Sequence, residues 1–338
     1  MHVLITGGTG FVGSHTTAAL LAAGHHVRLL VRRPERIEPA LAPLGVTDPV
    51  DHVVGDVTDA GSVKRSMEGC DAVLHAAAVY NLDTRANRET RATNVPGART
   101  VLDAAVAQGC DPIVHVSSTL AVLHRNTVAT PDSPLSAVRG TYIASKAESE
   151  RYARSLQDDG APVVVVQPGA VLGPYDPHLS DQMRRLADVL RGRYPMWPSG
   201  GFHAVDVRDV AGVHAAVMSP GLGPRRYAVP GHRLDGPTLF GALRSLTGRR
   251  LPYMRVPARA LLPVTRMASA AQRVLPFRVP AEYEGALVCY HDTVIDDSWA
   301  RDGLGVAPRP LEETLGDAVR WLNDAGHISA RQAGKIAA

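Results

Sequence analysis

The sequence predicts an α/β chain: a doubly wound parallel sheet with helices on both faces, followed by a smaller mixed region. Three observations carry this. Short β-branched runs alternate with helical patterns through the first half of the 338 residues, as right-handed βαβ units require. Most of those runs are apolar throughout, which suits strands covered on both faces. Beyond about residue 168 the alternation loosens, and Pro and Gly become dense at Pro195–Gly201 and Pro220–Gly236.

The elements follow in order. His2–Thr6 is an apolar run that ends at a glycine cluster, and Phe11–Ala23 then reads as a helix. His26–Val31 is the second strand, stopped by Arg32-Arg33-Pro34. Val50–Val54 is the third, closed by Gly55-Asp56, with a helix over Ala60–Glu68. Ala72–Leu74, Pro112–Ser117 and Pro162–Gln167 complete the strands, and helices over Asn94–Gln108 and Thr141–Gln157 lie between them. Later helical patterns cover Asp209–Met218, Pro237–Thr247, Arg259–Leu275 and Leu311–Asn323. The expected organisation is a dinucleotide-binding domain over 1–168 and a substrate-binding region over 169–328, interleaved with the last sheet elements. A small, polar tail over 329–338 is expected to fray.

Composition removes several function classes. The net charge of +3 is spread along the chain and forms no basic stripe of the kind that binds nucleic acid. No run reaches the ~18 apolar residues of a membrane helix, and no signal-peptide pattern is visible. The expectation is a cytoplasmic protein. The three cysteines, Cys70, Cys110 and Cys289, are widely spaced and read as buried free thiols. The 14 histidines show no metal-ligand spacing, so no metal is assigned.

The first strand runs into Gly7-Gly8-Thr9-Gly10-Phe11-Val12-Gly13, then a helix. Two glycine spacings coexist, Gly7-x-x-Gly10-x-x-Gly13 and Gly8-x-Gly10-x-x-Gly13. Glycine permits a tight turn and close backbone approach to a pyrophosphate, and the helix N-terminus offers free N–H groups and a positive dipole end. Strand, turn and helix stand in the order a Rossmann dinucleotide site needs. An NAD site would place an acid at the end of the second strand. Here Arg32 and Arg33 stand instead, and two guanidinium groups suit a 2′-phosphate. The reading is NADP, bound as NADPH. Asp56, beside Val57, is either an acceptor for the adenine amino group or a loop-start or cap residue for the following helix. Ala76, Ala77 and Ala78 follow the fourth strand, where small residues let the backbone pass close to the cofactor.

Tyr142 and Lys146 stand four apart in a helical segment, which places them on one face. The chain has nine tyrosines and only three lysines, Lys64, Lys146 and Lys335, which makes the pairing telling. A lysine ammonium beside a phenol lowers its pKa and moves a weak acid towards general acid–base duty. The fifth strand ends in Ser117-Ser118-Thr119, at the sheet edge where ligands bind. A hydroxyl there can bond a substrate carbonyl as charge develops. Pro168, Gly169 and Val171 close the sixth strand and are read as a wall beside the nicotinamide. Asn94 opens the helical pattern and is most simply an N-cap.

Together these residues resemble the extended short-chain dehydrogenase/reductase family, across most of the chain. The resemblance rests on the Thr6–Gly13 loop, Gly55-Asp56, His75–Ala78, Asn94 with Gly97, Ser117–Thr119, Tyr142/Lys146, Pro168-Gly169 and Val207–Val217. It implies that Tyr142 and Lys146 are catalytic, that Thr119 or its rival Ser118 assists, and that Asn94 orders the site. Val31-Arg32-Arg33-Pro34 and the late Pro308-Arg309-Pro310 resemble the dihydroflavonol-4-reductase-like branch, which implies hydride transfer between NADPH and a carbonyl of a small, apolar or aromatic substrate. Two departures separate the chain from sugar-nucleotide enzymes: Leu120 stands where dehydratases carry an acid, and Gly200–Asp206 holds no arginine for a pyrophosphate. The alternatives are an epimerase with tightly held NAD and a non-catalytic NADP-sensing regulator. A homodimer is expected from family habit. Arg255–Arg278, with Arg259, Arg266 and Arg273 at near-helical spacing, reads as a charged helix face over a lipophilic pocket, or as a membrane-surface contact.

Overall fold

The computed structural model describes residues 1–80, 84–272 and 282–337. The chain runs β1 (His2–Thr6), α1 (Phe11–Ala22), β2 (His26–Val31), α2 (Ile37–Leu41), β3 (Asp51–Val54), α3 (Ala60–Met67), β4 (Ala72–His75), α4 (Asn87–Gln108) and β5 (Ile113–Val116). It continues through β6 (Val128–Ala129), α5 (Thr141–Asp158), β7 (Val163–Gln167), β8 (Ala170–Leu172), α6 (Asp181–Leu190), β9 (Met196–Pro198), β10 (Gly201–Asp206) and α7 (Val207–Ala216). The last elements are β11 (Arg225–Ala228), β12 (His232–Asp235), α8 (Gly236–Thr247), β13 (Met254–Val256), α9 (Ala258–Ala271), α10 (Tyr283–His291), β14 (Val294–Ile295), α11 (Ser298–Leu304), α12 (Leu311–Asp324) and α13 (Ala330–Ala333).

The expected doubly wound sheet is present. Seven parallel strands lie in the order β11-β7-β5-β4-β1-β2-β3. The chain reverses direction across the sheet between β1 and β4, where Thr6 faces His75, and ligands of open α/β sheets bind at that point. The central strands are covered on both faces, and their Val, Ile and Leu side chains divide between two apolar clusters. The seventh strand, β11, comes from beyond residue 168. A smaller sheet of β12, β10 and β8 mixes parallel and antiparallel pairing. It packs with α6, α8 and α12 into a third core around Trp197, Phe240 and Leu322.

Two expectations are corrected. The helix expected from Asn94 begins at Asn87, and Pro96 lies inside it. The helix needs no break there, because packing of α4 on the sheet outweighs local propensity. The tail over 329–337 does not fray. Ser329 and Gln332 form a capping box, and Ala333 and Ile336 pack onto the third core. The helix expected over Arg259–Leu275 is seen as α9, and its last part, with Arg273 and the remainder of the Arg255–Arg278 stretch, lies outside the described residues. Among the described residues, no helix is long and apolar enough to cross a membrane.

Candidate active site

A cavity of about 560 Å³ opens at the C-terminal edge of the large sheet. Its floor is the glycine loop. Gly7 sits at φ +78, and a Cβ there would lie 2.7 Å from the Ala77 nitrogen. A Cβ on Gly13 would lie 2.0 Å from the Gly7 carbonyl oxygen. The Gly10 N–H donates to that same oxygen at 2.9 Å. Gly8 instead faces the interior, where a Cβ would lie 2.5 Å from Leu29. The spacing Gly7-x-x-Gly10-x-x-Gly13 therefore shapes the cavity floor, and Gly8 serves helix–sheet packing. Phe11 and Val12 open α1 and line the same cavity. A loop stripped of side chains at a helix N-terminus fits a dinucleotide pyrophosphate.

Thr6 holds the neighbouring loop in place. Its hydroxyl pairs with His75 Nδ1 at 2.7 Å and accepts the Ala77 N–H at 3.3 Å. Ala76 and Ala78 line the cavity, whereas Ala77 presses its backbone against Gly7. Pro168, Gly169 and Val171 form part of the wall, and the Pro168 carbonyl accepts the Thr119 N–H at 2.9 Å. Arg32 and Arg33 lie outside this cavity, exposed just beyond the end of β2. Arg32 approaches Glu89 at 4.0 Å, with both side chains more than half exposed, a contact worth little. Asp56 is also outside. Its carboxylate accepts from the Thr58 N–H and hydroxyl at 2.9 and 2.8 Å. The cap of α3 is Asp59, not Asp56; the contacts of Asp56 with Thr58 are those of a loop-start residue. Val57 is buried beneath Gly97, where a Cβ would come within 2.8 Å of it.

The candidate catalytic groups converge. Ser118, Thr119, Tyr142 and Lys146 all line the cavity. Ser117 gives its hydroxyl to Glu150 at 2.5 Å, and Ser118 accepts the Leu120 N–H at 3.2 Å as a cap. Lys146 donates to the Val116 carbonyl at 3.0 Å. Burial pulls the Lys146 ammonium down to about 8, opposed by Glu150. Burial, with Tyr80 and Glu284 nearby, holds the Tyr142 phenol well above its ordinary range. The lowering of Tyr142 by Lys146 expected from sequence is not seen, because loss of solvent dominates. Asn94 is no N-cap. It lies inside α4, its Oδ1 accepts the Val79 N–H at 2.8 Å, and its Nδ2 donates to Ser145 Oγ at 3.1 Å. It thereby ties the loop after β4 to the helix that carries Tyr142.

Several site residues were invisible in the sequence reading. Tyr80 packs edge-on against Tyr142, with centroids 4.9 Å apart, and its hydroxyl accepts from Gln182 at 2.7 Å. Arg185 donates to Gln182 at 2.7 Å and pairs with Glu282. Glu284 accepts the backbone N–H groups of Tyr142 and Ile143 at 3.2 and 3.1 Å. The contacts of Gln182 with Tyr80, Arg185 with Glu282 and Glu284 with the Tyr142 helix span about a hundred residues or more, and no local pattern reports them. Glu150 was findable: it stands four after Lys146 on the same helix face. It is wholly buried and held by Ser117, Arg154 and Gln167. The rest of the cavity wall is largely apolar, with Leu123, Trp197, Phe202, Leu261 and Val288 among its members.

A family model described as "NAD dependent epimerase/dehydratase family" matches residues 3–229. A Synechocystis protein named "Putative dihydroflavonol 4-reductase" is 30% identical over 97% of this chain and 96% of its own length. "Sterol demethylase protein B" of Methylococcus capsulatus is 30% identical over 97% of this chain and all of its own. The crystal structure of gox2253 superposes with a TM-score of 0.80 at 26% identity, covering 97% of this chain and 99% of that one.

Proposed function

We propose that this chain, which belongs to the NAD dependent epimerase/dehydratase family, is an NADP-dependent reductase of a small apolar or aromatic ketone or aldehyde. The observation that carries the proposal is the convergence of Thr119, Tyr142 and Lys146 on one largely apolar cavity that continues onto the glycine loop. The reductase names of the similar proteins agree with it. When bound, the reduced nicotinamide supplies the hydride for the carbonyl carbon. Thr119 donates a hydrogen bond that orients the carbonyl; the Ser117 hydroxyl is already given to Glu150, and Ser118, whose Oγ accepts the Leu120 N–H but keeps its proton, is the rival donor. Tyr142 gives its phenolic proton to the carbonyl oxygen and regains one from solvent. Lys146 keeps a positive charge beside the reacting groups. Asn94 holds Ser145, three residues along the helix from Tyr142, and so fixes the helix face. The apolar wall favours a substrate with little polar surface.

NADP preference rests on Arg32 and Arg33. They stand exposed beyond β2, at the edge that carries the glycine loop, and no acid occupies the strand end. Fluorescence titration of the purified protein with NADPH and NADH tests it. NADPH is expected to bind at least about tenfold tighter, and Arg32→Ala with Arg33→Ala is expected to remove the difference. Preferred NADH, or a cofactor retained through purification without exchange, overturns this reading in favour of an epimerase.

A further inference from the structure

We propose that Glu284 is a positioning residue for Tyr142: carried by α10, it grips the first turn of α5 and sets where the phenol stands. The consequence for turnover rests on the reductase reading; the grip itself does not.

A helix leaves its first N–H groups without internal partners. The N-cap of α5 is Gly140, which has no side chain to satisfy them. Glu284 does so from 142 residues away, with Oε1 on the Tyr142 N–H and Oε2 on the Ile143 N–H. Gly140 is cut to fit it, because a Cβ there would lie 2.7 Å from the Glu284 carboxyl carbon. A carboxylate also suits the positive end of the helix dipole. One of the two gripped amides belongs to Tyr142 itself.

The carrier of the carboxylate is a wall of the cavity. Gly285, Ala286, Val288 and Cys289 of α10 line the same space as Tyr142, and Gly285 is the next residue after Glu284. A substrate that seats against α10 therefore acts on the group that holds the catalytic helix. An ordinary cap would stabilise the helix and leave the chemistry alone.

The test is a double-mutant cycle in the full chain with NADPH and acetophenone, and with benzaldehyde as second probe. Glu284→Gln is expected to bind NADPH within twofold of wild type and to lower kcat about tenfold. In the Tyr142→Phe background the same substitution is expected to change kcat less than twofold, because its effect passes through Tyr142. Equal loss in both backgrounds, or no loss in a folded Glu284→Gln protein, overturns the proposal. Hydrogen exchange reads the grip without turnover: the Tyr142 and Ile143 amides are expected to exchange at least about tenfold faster in Glu284→Gln. Unchanged exchange also overturns it. Should Glu284→Gln not fold, Glu284→Asp, which keeps the charge on a shorter arm, takes its place in both measurements with the same outcomes. A wild type that reduces neither probe, with the exchange difference present, counts against the reductase reading and leaves the grip standing.

Discussion

The two walls of the cavity are built in opposite ways. The glycine-loop wall is made of backbone and small residues close together in sequence, from Gly7 to Gly13, with Ala76 to Ala78 one strand away. The far wall is made of long side chains brought from distant segments: Tyr80, Gln182, Arg185 and Glu282. The first wall is defined by what it lacks, and adding an atom ruins it. The second is defined by paired polar groups, and removing one leaves its partner buried.

The largest expected effect lies on the first wall. Gly13→Ala places a carbon 2.0 Å from the Gly7 oxygen, so the loop must open. NADPH affinity is expected to fall by more than about 100-fold, read by fluorescence titration. Arg185→Met on the second wall is expected to do the reverse. NADPH binding stays within twofold, while unfolding in urea shows a loss of about 3–5 kcal/mol from breaking the partly buried ion pair with Glu282. A Gly13→Ala protein that binds NADPH normally would break the contrast.

Between the walls stand the proposed reacting groups. Tyr142→Phe is expected to lower kcat by about 100- to 10,000-fold with NADPH affinity unchanged. Thr119→Val is expected to cost about tenfold or more in kcat. Ser118→Ala is expected to cost little in rate and about 1 kcal/mol in stability, as the loss of a cap. A larger rate loss at Ser118 than at Thr119 would reverse their assigned roles.

The smallest effect is in pH. Lys146 is held down to about 8 by burial, so its charge is present below that pH and lost as pH rises through it. The reduction rate is expected to decline above about pH 8. The sign for stability is opposite: between about 8 and the ordinary lysine value the unfolded chain binds more protons, so this group makes the fold more stable as pH rises. A rate that is flat through pH 9 would contradict the buried, charged Lys146.

The same contrast explains what was legible in the sequence. The parallel sheet, the glycine loop and the Tyr142/Lys146 pair were readable, because strand alternation, glycine spacing and the four-residue helix repeat are local. Asn94 was read from its position as a cap, while the resemblance implied that it orders the site. An asparagine at the start of a helical pattern looks like a cap, and only the placement of Val79 and Ser145 around it shows a bridge. The true cap of the Tyr142 helix, Glu284, has no local signal at all. The perturbed phenol was misjudged for a related reason. Sequence shows the neighbouring lysine, but not the depth of burial that outweighs it.

The most direct test of the account follows the hydride. Wild-type protein is given NADPH carrying deuterium at the transferring position of the nicotinamide, with an aryl ketone, and the product alcohol is weighed by mass spectrometry. The account predicts one deuterium per product molecule, at the former carbonyl carbon, and loss of this product in Tyr142→Phe. Deuterium retained on the cofactor with no alcohol formed, or an equal yield from Tyr142→Phe, would contradict it.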